Sequence, residues 1–89
     1  MTTDEIVALG TYCEGVRSAD LFKVLVDQYE LNCFQHFVST AAHEQKKRDG
    51  IYANFNALKD FLGLMDAVIA AKSNIEIALS AKDAPEDIN

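Results

Sequence analysis

Ile51, Phe55, Leu58, Leu62, Met65 and Ile69 follow one another at alternating steps of four and three residues. A strand cannot present such a series on one side, because its side chains alternate with a period of two. A helix can, and the series then forms a continuous seam that must be covered by another helix. The seam continues onto Lys72 and Glu76, where its apolar character stops. A parallel line through Phe61, Val68 and Ile75 carries apolarity on to Leu79. This segment is expected to be a long helix with two apolar edges, spanning roughly 43 Å from Ile51 to Leu79.

A second long helix is expected from Ala19 to about Ala42, a stretch without Gly or Pro. Phe22, Val26, Tyr29, Cys33, Phe37 and Thr40 recur there at steps of three and four. Leu21, Val24, Leu25 and Phe34 widen the apolar arc beyond a narrow coiled-coil seam, so more than one neighbour is expected against it. Ser18 is the expected N-cap of this helix, with Asp20 in its first turn.

The start of the chain carries its own helix signal. Thr2 and Glu5 have capping-box spacing, and Ile6, Leu9, Cys13 and Val16 fall on one face. Gly10 and Gly15 each weaken that helix by about 1 kcal/mol relative to Ala, which makes it dependent on docking. The polar run HEQKKRDG, His43 to Gly50, is expected to hold the reversal between the two long helices, with the third helix beginning as early as Glu44.

The fold class that follows is all-α: a short N-terminal helix packed on a long antiparallel helical hairpin, folding back across it. The helical domain is expected over residues 1–79, with a flexible acidic tail over 80–89 that contains the single proline, Pro85. The chain has 89 residues, few enough that the wide stripes on both long helices exceed what one short helix covers. Helices of another copy, or of a partner protein, are therefore expected to complete an oligomeric helical bundle. The expected self-association or partner face is Phe22, Val26, Tyr29, Phe37, Ile51, Phe55, Leu58, Leu62, Met65 and Ile69.

Charge limits the partners. The formal net charge is −6, and residues 1–42 hold six acids against Arg17 and Lys23, an arrangement that repels a phosphate backbone. Lys46, Lys47 and Arg48 are the one concentrated basic group and the candidate phosphate contact, with Tyr52 and Phe55 as stacking neighbours. The ordinary reading of the triplet is a solvated turn, since Phe55 lies on the seam and is committed to the core. The acids Asp4, Glu5, Glu14, Asp20, Asp27 and Glu30 near one end, with Asp83, Glu86 and Asp87 in the tail, admit an inhibitor that occupies a basic groove of a nucleic-acid-handling or defence protein. Their ordinary reading is a soluble surface.

Catalytic and metal chemistry find little purchase. No Gly-rich phosphate loop or nucleophile motif occurs, so the chain is read as a non-enzyme without cofactor. Cys33, His36 and His43, with Cys13, lack the paired spacing of a metal site; buried cysteine and surface histidine is the preferred reading, and no metal is assigned. Cys13 and Cys33 are expected to be free thiols of a cytoplasmic protein. No apolar run reaches 18 residues, and MTTDEI lacks the features of a secretory signal, so neither membrane insertion nor secretion is expected.

The segment KRDGIYANFNALKDFLGLM resembles a pattern in small helical proteins of tailed bacteriophages. The pattern has a basic–acidic pair, Arg48-Asp49, an apolar–aromatic pair, Ile51-Tyr52, then Ala57-Leu58 and an acid at Asp60. The preceding SADLFKVLVDQYELNCFQHF is similar in layout, and the resemblance covers about residues 18–70. It implies a virus-encoded assembly or packaging protein, acting in the host cytoplasm or the virion, with no catalytic residues.

Overall fold

The computed structural model describes residues 1–83, and these form three helices: α1 (Thr3–Ser18), α2 (Asp20–Ser39) and α3 (Gln45–Asp83). No strand occurs among the described residues, and the all-α expectation holds. Residues 84–89 of the expected tail lie outside the described residues. α3 itself runs to Asp83, into the segment expected to form the tail.

α1 begins as its sequence signals. The Glu5 amide donates to Thr2 Oγ1 and the Thr2 amide donates to Glu5 Oε1, each at 3.2 Å. This reciprocal capping satisfies two of the backbone donors that a helix start leaves unpaired. The Thr2 amide bond favours the carboxylate and, with the Thr2 hydroxyl beside it, lowers the pKa of Glu5 from its ordinary value.

Between α1 and α2 only Ala19 is non-helical, in an extended conformation at φ −71° and ψ 126°. Ser18 does not cap α2, contrary to its sequence signal. Its hydroxyl donates backwards to the carbonyl oxygens of Glu14 and Gly15, at 2.7 and 3.3 Å, and so closes α1. Serine bonding to a carbonyl of the preceding turn is the local competitor to capping the next helix.

α2 stops at Ser39, where Thr40 turns extended and its hydroxyl donates to the Phe37 carbonyl at 2.6 Å. Only residues 40–44 make the reversal. Its exit is set by Glu44: the Ala41 amide donates to Glu44 Oε1 at 2.9 Å, and Arg48 N–H closes the first turn onto the Glu44 carbonyl. Asp49-Gly50, expected at the turn, lies inside α3, where Gln45 Nε2 donates to Asp49 Oδ1 at 2.7 Å.

Both shorter helices run antiparallel to α3, and they do so one after the other. Gly10 abuts Lys72, Arg17 pairs with Asp66, Glu30 with Lys59, and Arg48 lies over the Phe37 ring. As the numbers rise along α1 and α2 they fall along α3. The first helix therefore does not fold back across an α2–α3 hairpin; it continues α2, broken at Ala19, along the C-terminal half of α3. The physical reason is the single-residue link, too short for a reversal.

The result is a rod only two helices thick, 71 × 26 × 24 Å, with a radius of gyration of 19.8 Å. A compact domain of this length has a radius near 12 Å. Its core sits midway, where Cys13, Leu62 and Met65 are buried and Leu9, Val16, Phe22, Val26, Leu58, Val68 and Ile69 pack around them. Cys33 is buried separately, under the reversal end of α2.

Candidate interaction surface

The structure divides the apolar residues into two sets. The first set faces inward between α3 and the successive helices α1 and α2. Ile51, Phe55, Leu58, Leu62, Met65 and Ile69 are all buried or half-buried, as are Phe22 and Val26 opposite them. Tyr29 and Phe37 sit at the rim of the same seam and stay partly open. Eight of the ten residues expected on a self-association face are thus buried or half-buried within the chain, while Tyr29 and Phe37 are exposed; α1 and α2 supply the other wall of the seam.

The second set points away from α3. Val24, Leu31 and Val38 are seven residues apart on α2, and Phe34 follows Leu31 by three. At about 100° per residue they lie between about 100° and 180° around the helix from buried Cys33. Leu31 is 46% exposed, Val24 and Val38 about as much or more, and Phe34 63%. Leu21 and Leu25 are exposed on the adjoining flank. On α3, Phe61, Leu64, Ile77 and Leu79 are also exposed. Neighbouring exposed apolar residues on this scale mark an interaction site rather than ordinary surface scatter.

The total surface agrees. The chain exposes 6867 Å², where a compact monomer of 9.8 kDa exposes roughly 5,200 Å². The difference, roughly 1,700 Å², is about twice what one partner contributes to a standard protein interface. Among the described residues no side chain is completely buried.

Between the C-terminal half of α2 and the first turns of α3 lies an open groove of about 240 Å³, lined by Glu30, Cys33, Phe34, Phe37, Ile51, Tyr52 and Phe55. Cations cover its aromatic rings: the Arg48 guanidinium is 4.9 Å from the Phe37 centroid, and Lys59 Nζ is 5.2 Å from that of Phe55. Tyr52 remains exposed at the mouth.

The basic triplet is split by its partners. Arg48 donates to Thr40 Oγ1 at 2.8 Å while lying over Phe37, so it ties the reversal to α2. Lys47 pairs with Glu44, which raises its pKa, and the Ala41 amide and Lys47 together hold Glu44 low. Among the described residues Lys46 makes no ion pair and is exposed. Three adjacent cations in the sequence thus become two exposed lysines, one of them paired with Glu44, and an arginine that braces the turn.

Three of the six candidate acids, Glu5, Glu14 and Glu30, are similarly committed. Glu14 accepts from Lys72 at 2.7 Å, Glu30 accepts from Lys59 at 2.8 Å, and Glu5 caps α1. Arg17 grips Asp66 through two bonds of 2.9 and 3.0 Å, which lowers the carboxyl's pKa and raises that of the guanidinium. A continuous free acidic face is not formed by these residues. Cys13 and Cys33 are free thiols, both buried against α3, while His36 is exposed one turn beyond Cys33.

Lys72 was missed by sequence reasoning, which took it as the end of the seam. Its side chain is only 13% exposed. The aliphatic stem packs on Gly10 and the ammonium emerges between Glu14 and Glu76, contacts that raise its pKa. The signal was present in Gly10, the position at which α1 can approach another helix closely.

Comparison with known proteins returns no matching family model, no similar curated protein and no similar solved structure.

Proposed function

We propose that this chain is a non-enzymatic helical assembly protein that works by protein–protein association, first of all with itself. The observation that carries this reading is the exposed apolar face of α2 on a rod two helices thick. Burying a face of this kind is the dominant favourable contribution to association. The seam residues stabilise the single chain, and the outer residues of α2 and α3 remain for a partner. The resemblance of Arg48-Asp49, Ile51-Tyr52 and Ala57-Leu58 to small phage proteins is what connects this role to virion assembly or DNA packaging. The commitment of Arg48 and Lys47 to the turn, and of Glu14 and Glu30 to ion pairs, favours apolar association over binding to DNA or to a basic groove.

Light scattering over a wide concentration range, with and without duplex DNA, tests the reading. A stable oligomer whose mass is indifferent to DNA supports it. A chain that stays at 9.8 kDa throughout, or that assembles only on DNA, contradicts it.

A further inference from the structure

We infer that the occupant of the outer α2 face is the α2 helix of a second copy, lying antiparallel about a two-fold axis near Leu31. The inference rests on the proposed self-association and adds its face, its direction and its register.

The face follows from spacing. Val24, Leu31 and Val38 repeat every seven residues, with Asp27 and Phe34 in the intervening positions, as in a helix-pairing seam. Its residues are exposed, and all lie on a helix whose opposite side is already held by α3 through Cys33 and Val26. α2 has 20 residues and therefore offers about 30 Å of contact length. A standard interface removes about 800 Å² from each partner, which fits within the roughly 1,700 Å² by which this chain exceeds a compact monomer.

The direction follows from charge. Asp20 and Asp27 lie in the N-terminal half of α2 and Glu30 at its middle, and no acid follows Glu30 in the helix. Glu30 is already neutralised by Lys59, which leaves Asp20 and Asp27. In a parallel two-fold pair each residue meets its own copy, so Asp27 would face Asp27 within the seam, a like-charge contact that disfavours that arrangement. Antiparallel pairing about Leu31 brings Val24 opposite Val38 of the partner subunit. It sets Asp27 level with the uncharged Gln35 of the partner subunit, and carries Asp20 past the C-terminal end of the partner's α2. Opposed helix dipoles favour the same direction.

Phe34 links this face to the aromatic groove. It lines the groove with Tyr52 while also standing on the outer seam. A helix seated on Leu31 and Phe34 would therefore roof the reversal end of the groove as well as covering α2.

Disulfide trapping tests the register. Val24→Cys and Val38→Cys chains are mixed and oxidised, with the unsubstituted chain, whose two thiols are buried, as control. Expected is a cross-linked species in the mixture that exceeds those formed by either variant alone. Homodimer cross-linking of Val24→Cys alone means a parallel pair and overturns the inference.

Charge substitution on the surface then separates this inference from the reading beneath it. Leu31→Glu lies at an exposed position, so it is expected to keep its helical circular dichroism and to fall to the monomer mass in light scattering. Leu64→Glu, on the outer flank of α3, is expected to retain the oligomer. If Leu64→Glu dissociates the protein and Leu31→Glu does not, association is real but the α2 face is wrong. An unsubstituted chain that is monomeric at every concentration removes both the inference and the proposed function.

Discussion

Gly10 of α1 lies directly against Lys72 of α3: a Cβ added at Gly10 would stand 2.6 Å from the Lys72 Cβ and 2.9 Å from its Cδ. Real Cβ atoms do not approach so closely, so this contact sets the distance between the two helices. It also explains why a residue that weakens an isolated helix is tolerated in α1. The cost in propensity is offset by a close approach that lets the Lys72 stem fill the seam and its ammonium reach Glu14.

Gly10→Ala is therefore expected to destabilise the protein by about 1–3 kcal/mol, the usual range for overpacking a closed contact. Gly15→Ala in the same helix is expected to do the reverse, by about 0.5–1 kcal/mol, because nothing lies within 4 Å of its added Cβ. Urea denaturation of both variants measures the pair, and the opposite signs are the diagnostic.

Leu62 is 7% exposed and sits with Cys13 and Met65 at the centre of the core. Leu62→Ala is expected to lower stability by about 2–5 kcal/mol. Leu62→Asp places an unpaired charge there and is expected to abolish the cooperative transition. A melting temperature unchanged by Leu62→Asp would mean that the seam is wrongly assigned.

Arg48 is expected to behave as a structural residue. Arg48→Ala removes the bond to Thr40 and the contact with Phe37, and should cost about 1–2 kcal/mol in a denaturant titration. Lys46→Ala should stay within about 0.5 kcal/mol of the parent. Equal effects of the two substitutions on stability, with a loss of duplex DNA binding, would instead identify the triplet as a nucleic-acid contact.

Acid sensitivity follows from the directions of three carboxyl shifts. Glu5, Glu44 and Asp66 have folded pKa values below their ordinary ones, near 4.5, 4.5 and 3.8. The folded state thus binds protons more weakly than the unfolded chain. Their contribution is complete above the ordinary values and is lost as pH falls through the lowered folded ones. Melting temperature is expected to decline below about pH 4. Asp66→Asn should shallow that decline, and a decline identical to the parent's would show that the Arg17 pair does not couple to folding.

Much of the architecture is legible in the sequence. The Ile51–Ile69 seam and the Thr2–Glu5 cap rest on spacing alone, and both were found where spacing put them. The breaks were less legible. Ser18 has the right chemistry to cap α2 but bonds backwards into α1, a choice between two local geometries with the same residues. Asp49-Gly50 reads as a turn, yet the Glu44 cap starts the helix earlier and carries it through an exposed glycine. For the interaction surface, the sequence showed too much apolar surface on α2 without showing its division. Which residues turn inward depends on the register with α3, held by contacts such as Arg17–Asp66 that lie 49 positions apart.

Folding and association should be linked in this molecule, because a core of so few buried residues stabilises the single chain little. Thermal unfolding followed by circular dichroism at concentrations spanning about a hundredfold tests that link most directly. Expected is a melting temperature that rises with concentration, and that ceases to do so in Leu31→Glu. A single melting temperature across the whole range in the unsubstituted chain would contradict it, and would make the open two-helix rod complete in itself.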